Sequence, residues 1–377
     1  MDFALTQEQE DVKALAAKIL SDLAPIEKLP SFEQGQDWYD DRLWQELAKA
    51  NLLGVGLPAD VGGLGMGLAE TCTLLEELGR WCAPVPVWPT LVLGAMAIDE
   101  FGTEEQRHAI LPEVVAGRMV LTAALAEEGL SDPQRPACEA RDAGDGWTLH
   151  GRKAFVPAAR LAGRVLVPAR TEKHGIAVFL IDPKAQGVGL EAQAATTGEY
   201  HYRVHLDGIA VGSSDLLGKA GEGKRVVDWI VDRGIAGLCA MEVGVAERAL
   251  RMAAEYTSSR KQFGKPIATF QAVAQRAADA YIDLEAVRLA TWQAIWRLAN
   301  RLPARRELEI AKFWASEGGH RVCYAAQHLH GGIGVDTDYP LHHYYLLSRQ
   351  IEMTLGGTHT HLAALGRRLA ETPAGTH

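Results

Sequence analysis

Arg260-Lys261-Gln262-Phe263-Gly264-Lys265-Pro266-Ile267, with Gln271 shortly after, is the stretch on which the reading of this chain turns. It lies in a zone, from about Gly223 onward, whose pattern is helical. Just beyond it Phe270, Val273, Ala274, Ala277, Tyr281 and Leu284 recur at helical spacing. Further on, Leu329-His330-Gly331-Gly332-Ile333-Gly334 is followed by Tyr339-Pro340. Glycines in such a run let backbone come close where a Cβ would block it.

Two other zones precede this one. From Met1 to about residue 117 the pattern is also helical. Thr6 reads as an N-cap, and Thr103-Glu104-Glu105-Gln106 has the form of a capping box. Turn signals fall at Leu57-Pro58, Gly62-Gly63-Leu64-Gly65 and Pro84 to Pro89. From about residue 118 to 218 short β-rich runs alternate with turns: Trp147 to His150, Arg164 to Val167, Ala177 to Ile181 and Tyr202 to Leu206. The expectation is an α-helical N-terminal domain over 1–117, a middle β-barrel or sandwich over 118–218, and a C-terminal four-helix bundle over 219–377. The tail from Glu371 to Gly375 is expected to fray.

Composition narrows the function classes. The 377 residues are 47% hydrophobic, enough for a sizeable core, yet contain no apolar run of membrane-spanning length. The first twenty residues carry four acids and do not read as a signal peptide, so none is expected. A net charge of −10 without a basic block argues against nucleic acid. The five cysteines, Cys72, Cys82, Cys138, Cys239 and Cys323, form no CxxC pair. Reduced thiols in a cytoplasm are expected, and no metal site.

The helix–strand–helix order and the quoted motifs, together with Leu53-Gly54-Val55-Gly56-Leu57-Pro58 before Gly62-Gly63-Leu64-Gly65, resemble the acyl-CoA dehydrogenase family over nearly the whole chain. The resemblance implies FAD as cofactor, an acyl-CoA as substrate oxidised at its α,β carbons, and an electron-transfer partner. It assigns Arg260 to the FAD pyrophosphate, which a guanidinium engages through a rigid fork of donors. It places Phe263 near the flavin and gives Gln271 an amide hydrogen bond. Standing alone, Arg260 reads as a solvated helix residue and Phe263 as core. The loop at Gly331 and Gly332 is implied to meet the FAD of a neighbouring subunit. Many relatives carry Gln three residues before this glycine pair; here His328 stands there and Gln327 one place earlier, so both are cofactor candidates. His330 reads as a local hydrogen-bonding residue.

Removing an α-proton from a thioester requires a base, and relatives usually supply it from Glu-Gly-Thr near the C-terminus. This chain reads Leu355-Gly356-Gly357-Thr358, with Gly356 or Leu355 in the Glu place. Glu352, a helical turn earlier, points elsewhere. Other relatives place the base 26 residues before the motif Arg, which here is Gly234. No catalytic residue is therefore expected. Asp232 is the surrogate candidate, if a chain break at Gly234 re-aims it. Asp232 and Glu242 otherwise read as solvated or salt-bridged acids. The middle zone also departs from the family. Where relatives often read Thr-Glu-Pro-Gly and then a Gly-Ser-Asp run, this chain has Ala126-Glu127-Glu128-Gly129-Leu130-Ser131-Asp132. Trp-Ile-Thr becomes Phe155-Val156-Pro157, and proline offers neither hydroxyl nor N–H.

Motifs that serve a neighbour's FAD are thus kept, and those of the chain's own active site are lost. This division resembles the non-catalytic subunit of bacterial heterotetrameric acyl-CoA dehydrogenases of steroid side-chain breakdown. It implies a second acyl-CoA dehydrogenase-like subunit in an α2β2 assembly. Two alternatives stay open: a self-sufficient homotetramer with a displaced acid as base, and a binding or scaffold homologue without the chemistry.

Overall fold

The computed structural model describes residues 4–25, 39–129 and 132–371; the expected frayed tail beyond Glu371 and the pair Leu130-Ser131 lie outside them. Five α-helices lead the described residues: α1 (Gln7–Leu23), α2 (Asp41–Lys49), α3 (Leu68–Arg80), α4 (Met96–Phe101) and α5 (Glu104–Val115). Their starts follow from local chemistry. Thr6 and Gln9 form a reciprocal capping box on α1, and Thr103 and Gln106 do the same on α5. Asp40 caps α2 through Leu43 N–H at 2.9 Å.

The middle zone forms one eight-stranded mixed sheet. Its strands are β1 (Val120–Ala123), β2 (Glu139–Asp142), β3 (Gly146–Pro157), β4 (Ala162–Thr171), β5 (Gly175–Ile181), β6 (Val188–Ala194), β7 (Tyr200–Gly212) and β8 (Leu216–Leu217). The order is β6-β7-β3-β2-β4-β5-β8, with β1 added beside β4. The pairings β1–β4 and β2–β4 are parallel and the others antiparallel. Leu149, Val165, Val167, Phe179, Val204 and Ile209 are buried together on one face, as period-two alternation requires. Each of the four β-rich runs read from the sequence lies inside a strand.

The C-terminal zone comprises α6 (Gly223–Ser259), a short hairpin of β9 (Lys261–Gln262) and β10 (Lys265–Pro266), then α7 (Gln271–Ala299), α8 (Arg305–His330), α9 (Leu341–Met353) and α10 (Thr358–Glu371). Ala246 and Leu250 of α6, Ala280 and Leu284 of α7, and Val322 and Ala325 of α8 pack as one core. The helix–strand–helix order is the one expected from the sequence. By compactness the chain forms two units. One spans Met1–Leu29, Leu68–Ala83 and Ile235–His377; the other spans Pro30–Gly67 and Pro84–Gly234.

In the first unit, helices α1, α3, α6 and α7 are tied by a partly buried ionic network centred on the buried Glu76. Glu76 takes Lys13 at 3.4 Å, Arg80 at 3.1 Å and Arg288 at 3.6 Å, while Glu247 takes Arg80 at 2.7 Å and Arg288 at 2.8 Å. Burial pushes the Glu247 carboxyl up, but the two guanidiniums outweigh it and hold it at about 2. Among the described residues, no helix is long and apolar enough to cross a membrane.

Candidate active site and cofactor face

The motif that opened the sequence reading sits where α6 ends. Arg260 N–H still donates to Tyr256 O at 2.8 Å, and its own carbonyl accepts from Ile267 N–H at 2.9 Å, closing the hairpin. At the hairpin tip Phe263 (φ 52) and Gly264 (φ 77) turn left-handed. Phe263 is 92% exposed, which excludes the core reading, and meets Phe270 edge-on at 6.2 Å. Arg260 is exposed, and among the described residues its guanidinium pairs with no carboxylate. Gln271 is exposed at the first position of α7. The helical stripe beyond it is mostly unburied: of its members Leu284 is buried, and Tyr281 is 58% exposed.

The second motif is held against the same helix end. His330 Nδ1 donates to Ala326 O at 2.8 Å, and Nε2 accepts from Tyr339 OH at 3.1 Å. One donor and one acceptor describe a neutral imidazole, and burial keeps its pKa below the usual histidine value. The ring stacks on Tyr256 at 4.5 Å, and Tyr256 is the residue whose carbonyl anchors Arg260. Nothing in the sequence had singled out Tyr256. Its aromatic ring one helical turn before the motif arginine was the available signal. Gly331 (φ 68, ψ −144) and Gly332 are exposed, and a Cβ on either meets no atom within 4 Å. Gly334 is different: a Cβ there lies 2.6 Å from Gln327 O, so that glycine serves the loop itself. Gln327 turns inward, its Nε2 donating to Gly334 O at 3.2 Å, and His328 is exposed. An exposed guanidinium and a protruding ring follow the end of α6, and open glycine backbone follows the end of α8, whose His330 stacks on Tyr256 of α6. They fit a phosphate-bearing aromatic cofactor approaching from outside the unit.

The two positions where relatives carry the base hold none. Gly234 is buried in unbroken helix, its carbonyl accepting Trp88 Nε1–H at 3.1 Å. The helix break that was to re-aim Asp232 is absent, because α6 runs continuously through Gly234. Asp232 is partly buried and has partners of its own. At the second position Leu355 (φ 57) and Gly356 (φ 98) form a left-handed turn, and Glu352 pairs with Arg349. Glu242 corrects the sequence reading. It is fully buried, not solvated, and accepts Ser348 Oγ–H at 2.7 Å through one oxygen while the other has no partner. Burial lifts its carboxyl to about 8, against the Ser348 bond and nearby Lys312. Lys312, pushed down to about 8 by burial, caps the end of α9 through Ile351 O at 2.7 Å and Glu352 O at 3.0 Å.

On the sheet, the segment that departs from the family is turned to structural use. Glu127 is buried and accepts Lys153 Nζ at 2.6 Å, Ala137 N–H at 2.6 Å and Cys138 N–H at 3.2 Å. Ala154 N–H donates to Ala126 O at 2.9 Å. Phe155 N–H donates to Gln193 Oε1 at 2.9 Å while its ring is 58% exposed, and Pro157 is buried. Of the backbone donors at 154, 155 and 157, two are engaged and one does not exist. Among the described residues no cluster of His, Cys, Asp or Glu could hold a metal ion.

Two family models match: the acyl-CoA dehydrogenase N-terminal domain over residues 6–118 and the acyl-CoA dehydrogenase C-terminal domain over 221–370. The curated protein acyl-CoA dehydrogenase FadE27 of Mycobacterium tuberculosis is 37% identical, over 99% of this chain and 100% of its own length. The chain belongs to the acyl-CoA dehydrogenase family. Members are FAD-dependent oxidoreductases. Among solved structures, a variant of the Tcur3481-Tcur3483 steroid ACAD is 44% identical with a TM-score of 0.90, covering 97% of this chain and 98% of that one. A chain of the ChsE4-ChsE5 complex of M. tuberculosis is 38% identical with a TM-score of 0.93, covering 99% of this chain and 100% of that one.

Proposed function

We propose that this acyl-CoA dehydrogenase chain is the non-catalytic subunit of an α2β2 enzyme, completing an FAD site on a partner subunit that carries the base. The observation that carries this is a contrast within one unit. The cofactor motif around Arg260 and Gly331 is exposed and open, while the Leu355–Gly357 turn offers no proton acceptor. Arg260 would take the FAD pyrophosphate, Phe263 would pack beside the cofactor, and the Gly331–Gly332 backbone would meet it closely. Gln271 and His328 would add hydrogen bonds. Gln327, engaged within its own loop, braces that loop. Bound FAD supplies the hydride acceptor for the β-carbon of the acyl-CoA. The base for the α-proton would come from the partner subunit, since the Leu355–Gly357 turn of this chain holds no proton acceptor, and an electron-transfer partner would complete the assembly.

The similarity to a steroid ACAD, and to a chain from a two-component complex, supports a steroid side-chain acyl-CoA as substrate. Five free, buried thiols accord with a cytoplasmic enzyme. Purifying the chain alone and again with a co-expressed second acyl-CoA dehydrogenase-like subunit tests the proposal. The expected result is a colourless, inactive chain that becomes a yellow, active complex. A yellow, active homomer would replace it with the self-sufficient enzyme. A chain that no partner endows with flavin would replace it with the scaffold reading.

A further inference from the structure

The turn where relatives carry their base is not merely missing a side chain. Leu355 and Gly356 both lie at positive φ, +57 and +98. A Cβ on Gly356 would stand 3.0 Å from His361 Nε2, 3.1 Å from Thr360 Cγ2 and 3.3 Å from Thr360 Cβ. The room a side chain at 356 needs is therefore occupied. Its main occupant, His361, is buried in the first turn of α10. Its Nε2 lies 3.0 Å from Leu355 O, and its Nδ1 lies 2.5 Å from Glu309 Oε2. A carbonyl can only accept, so Nε2 carries a proton and donates it to Leu355. A second proton lies between Nδ1 and the buried Glu309 carboxyl, whose other oxygen faces Arg305 Nε at 3.5 Å. The far side of the turn is fixed as well. His361 N–H and Thr360 N–H both donate to Gly357 O, at 3.3 and 3.0 Å, and Thr354 Oγ bonds Gln350 O at 2.7 Å.

Resting on the proposed non-catalytic role, we infer that His361, backed by Glu309, is a positioning residue. It takes the place of a side chain at 356 and pins the turn through the Leu355 carbonyl. The turn is committed to a backbone role, and returning a carboxylate to residue 356 displaces the clamp without restoring catalysis. Glu309 and His361 are 52 positions apart, so the pair is a device of the tertiary fold.

Backbone hydrogen exchange at Thr354, Thr360 and His361, whose N–H groups donate to Gln350 O and Gly357 O on either side of the turn, tests this in the full chain in complex with its co-expressed partner. His361→Ala should speed exchange there by about tenfold or more, since an opening no longer breaks a side-chain tether. His361→Gln, which keeps one donor at the Nε position, should stay near the wild-type rate. Gly356→Glu should also loosen the turn, and should add no turnover when the partner's carboxylate has been replaced. Unchanged exchange in His361→Ala, or equal loosening by Ala and Gln, would overturn the clamp. So would a Gly356→Glu chain that keeps a protected turn and gains turnover. The non-catalytic reading fails by a separate result, a yellow and active homomer from the wild-type chain alone.

Discussion

Two ends of the same helical unit have been treated in opposite ways. At the ends of α6 and α8, Arg260, Phe263 and the Gly331–Gly332 backbone stand in the open with space in front of them. Around the C-terminus of α9, the turn at Leu355 and Gly356 is packed from behind by His361 and Glu309, and the helix is capped by Lys312. Exposed polar and aromatic groups with few partners among the described residues point to something outside the chain. Buried groups that satisfy one another point to structure. The contrast teaches that one end of the unit is left open to the outside while the other is filled from within, which is what the proposed non-catalytic role requires.

The largest expected effect breaks the open side. Arg260→Ala in the assembled complex should weaken FAD retention by about 10–100-fold, the worth of one charge-assisted hydrogen bond. Dialysis followed by flavin absorbance measures it, and full occupancy would remove Arg260 from the cofactor site.

A somewhat smaller effect sharpens the closed side. Glu242 binds its proton up to about pH 8 in the folded chain, whereas an unfolded glutamate releases it near 4.5. The folded state therefore holds more protons across that window, and stability falls as pH rises from about 4.5 to about 8. Glu242→Gln keeps an acceptor for Ser348 and removes the titration. It should stabilise the chain by roughly 2 kcal/mol at neutral pH and by little at pH ~4.5. Urea midpoints at the two pH values decide it, and a gain that does not grow with pH would contradict the assignment.

Smaller again is Gly356→Ala. Positive φ and the short approach to His361 Nε2 should cost on the order of 1–2 kcal/mol, seen as a lowered urea midpoint. A neutral Gly356→Ala would mean the turn is not packed as described.

How much of this was legible beforehand depended on the range of the interaction. The capping boxes at Thr6 and Thr103 were readable because donor and acceptor lie three residues apart. The strands around Leu149, Val165 and Phe179 were readable because alternation is local. The motif at Arg260 was noticed through resemblance, but its exposure was not readable: the stripe containing Tyr281 has helical spacing whether it faces a core or a partner. Glu242 was misread as solvated or salt-bridged because α6 is buried on several sides, so its angular position did not say which acid meets water. The Glu309–His361 pair joins α8 to α10, and Lys312 reaches α9 from α8. Such pairings have no local signature, so the closed end could be read as an absence of base but not as a filled position.

The smallest predicted change belongs to the most direct test. Asp232→Asn keeps size and removes basicity, so it should leave turnover by the complex nearly intact. Replacing the partner subunit's carboxylate should lower kcat by about 10²–10⁴-fold, the usual contribution of a general base. A collapse of kcat in Asp232→Asn, with flavin content and assembly unchanged, would show that this chain carries its own base.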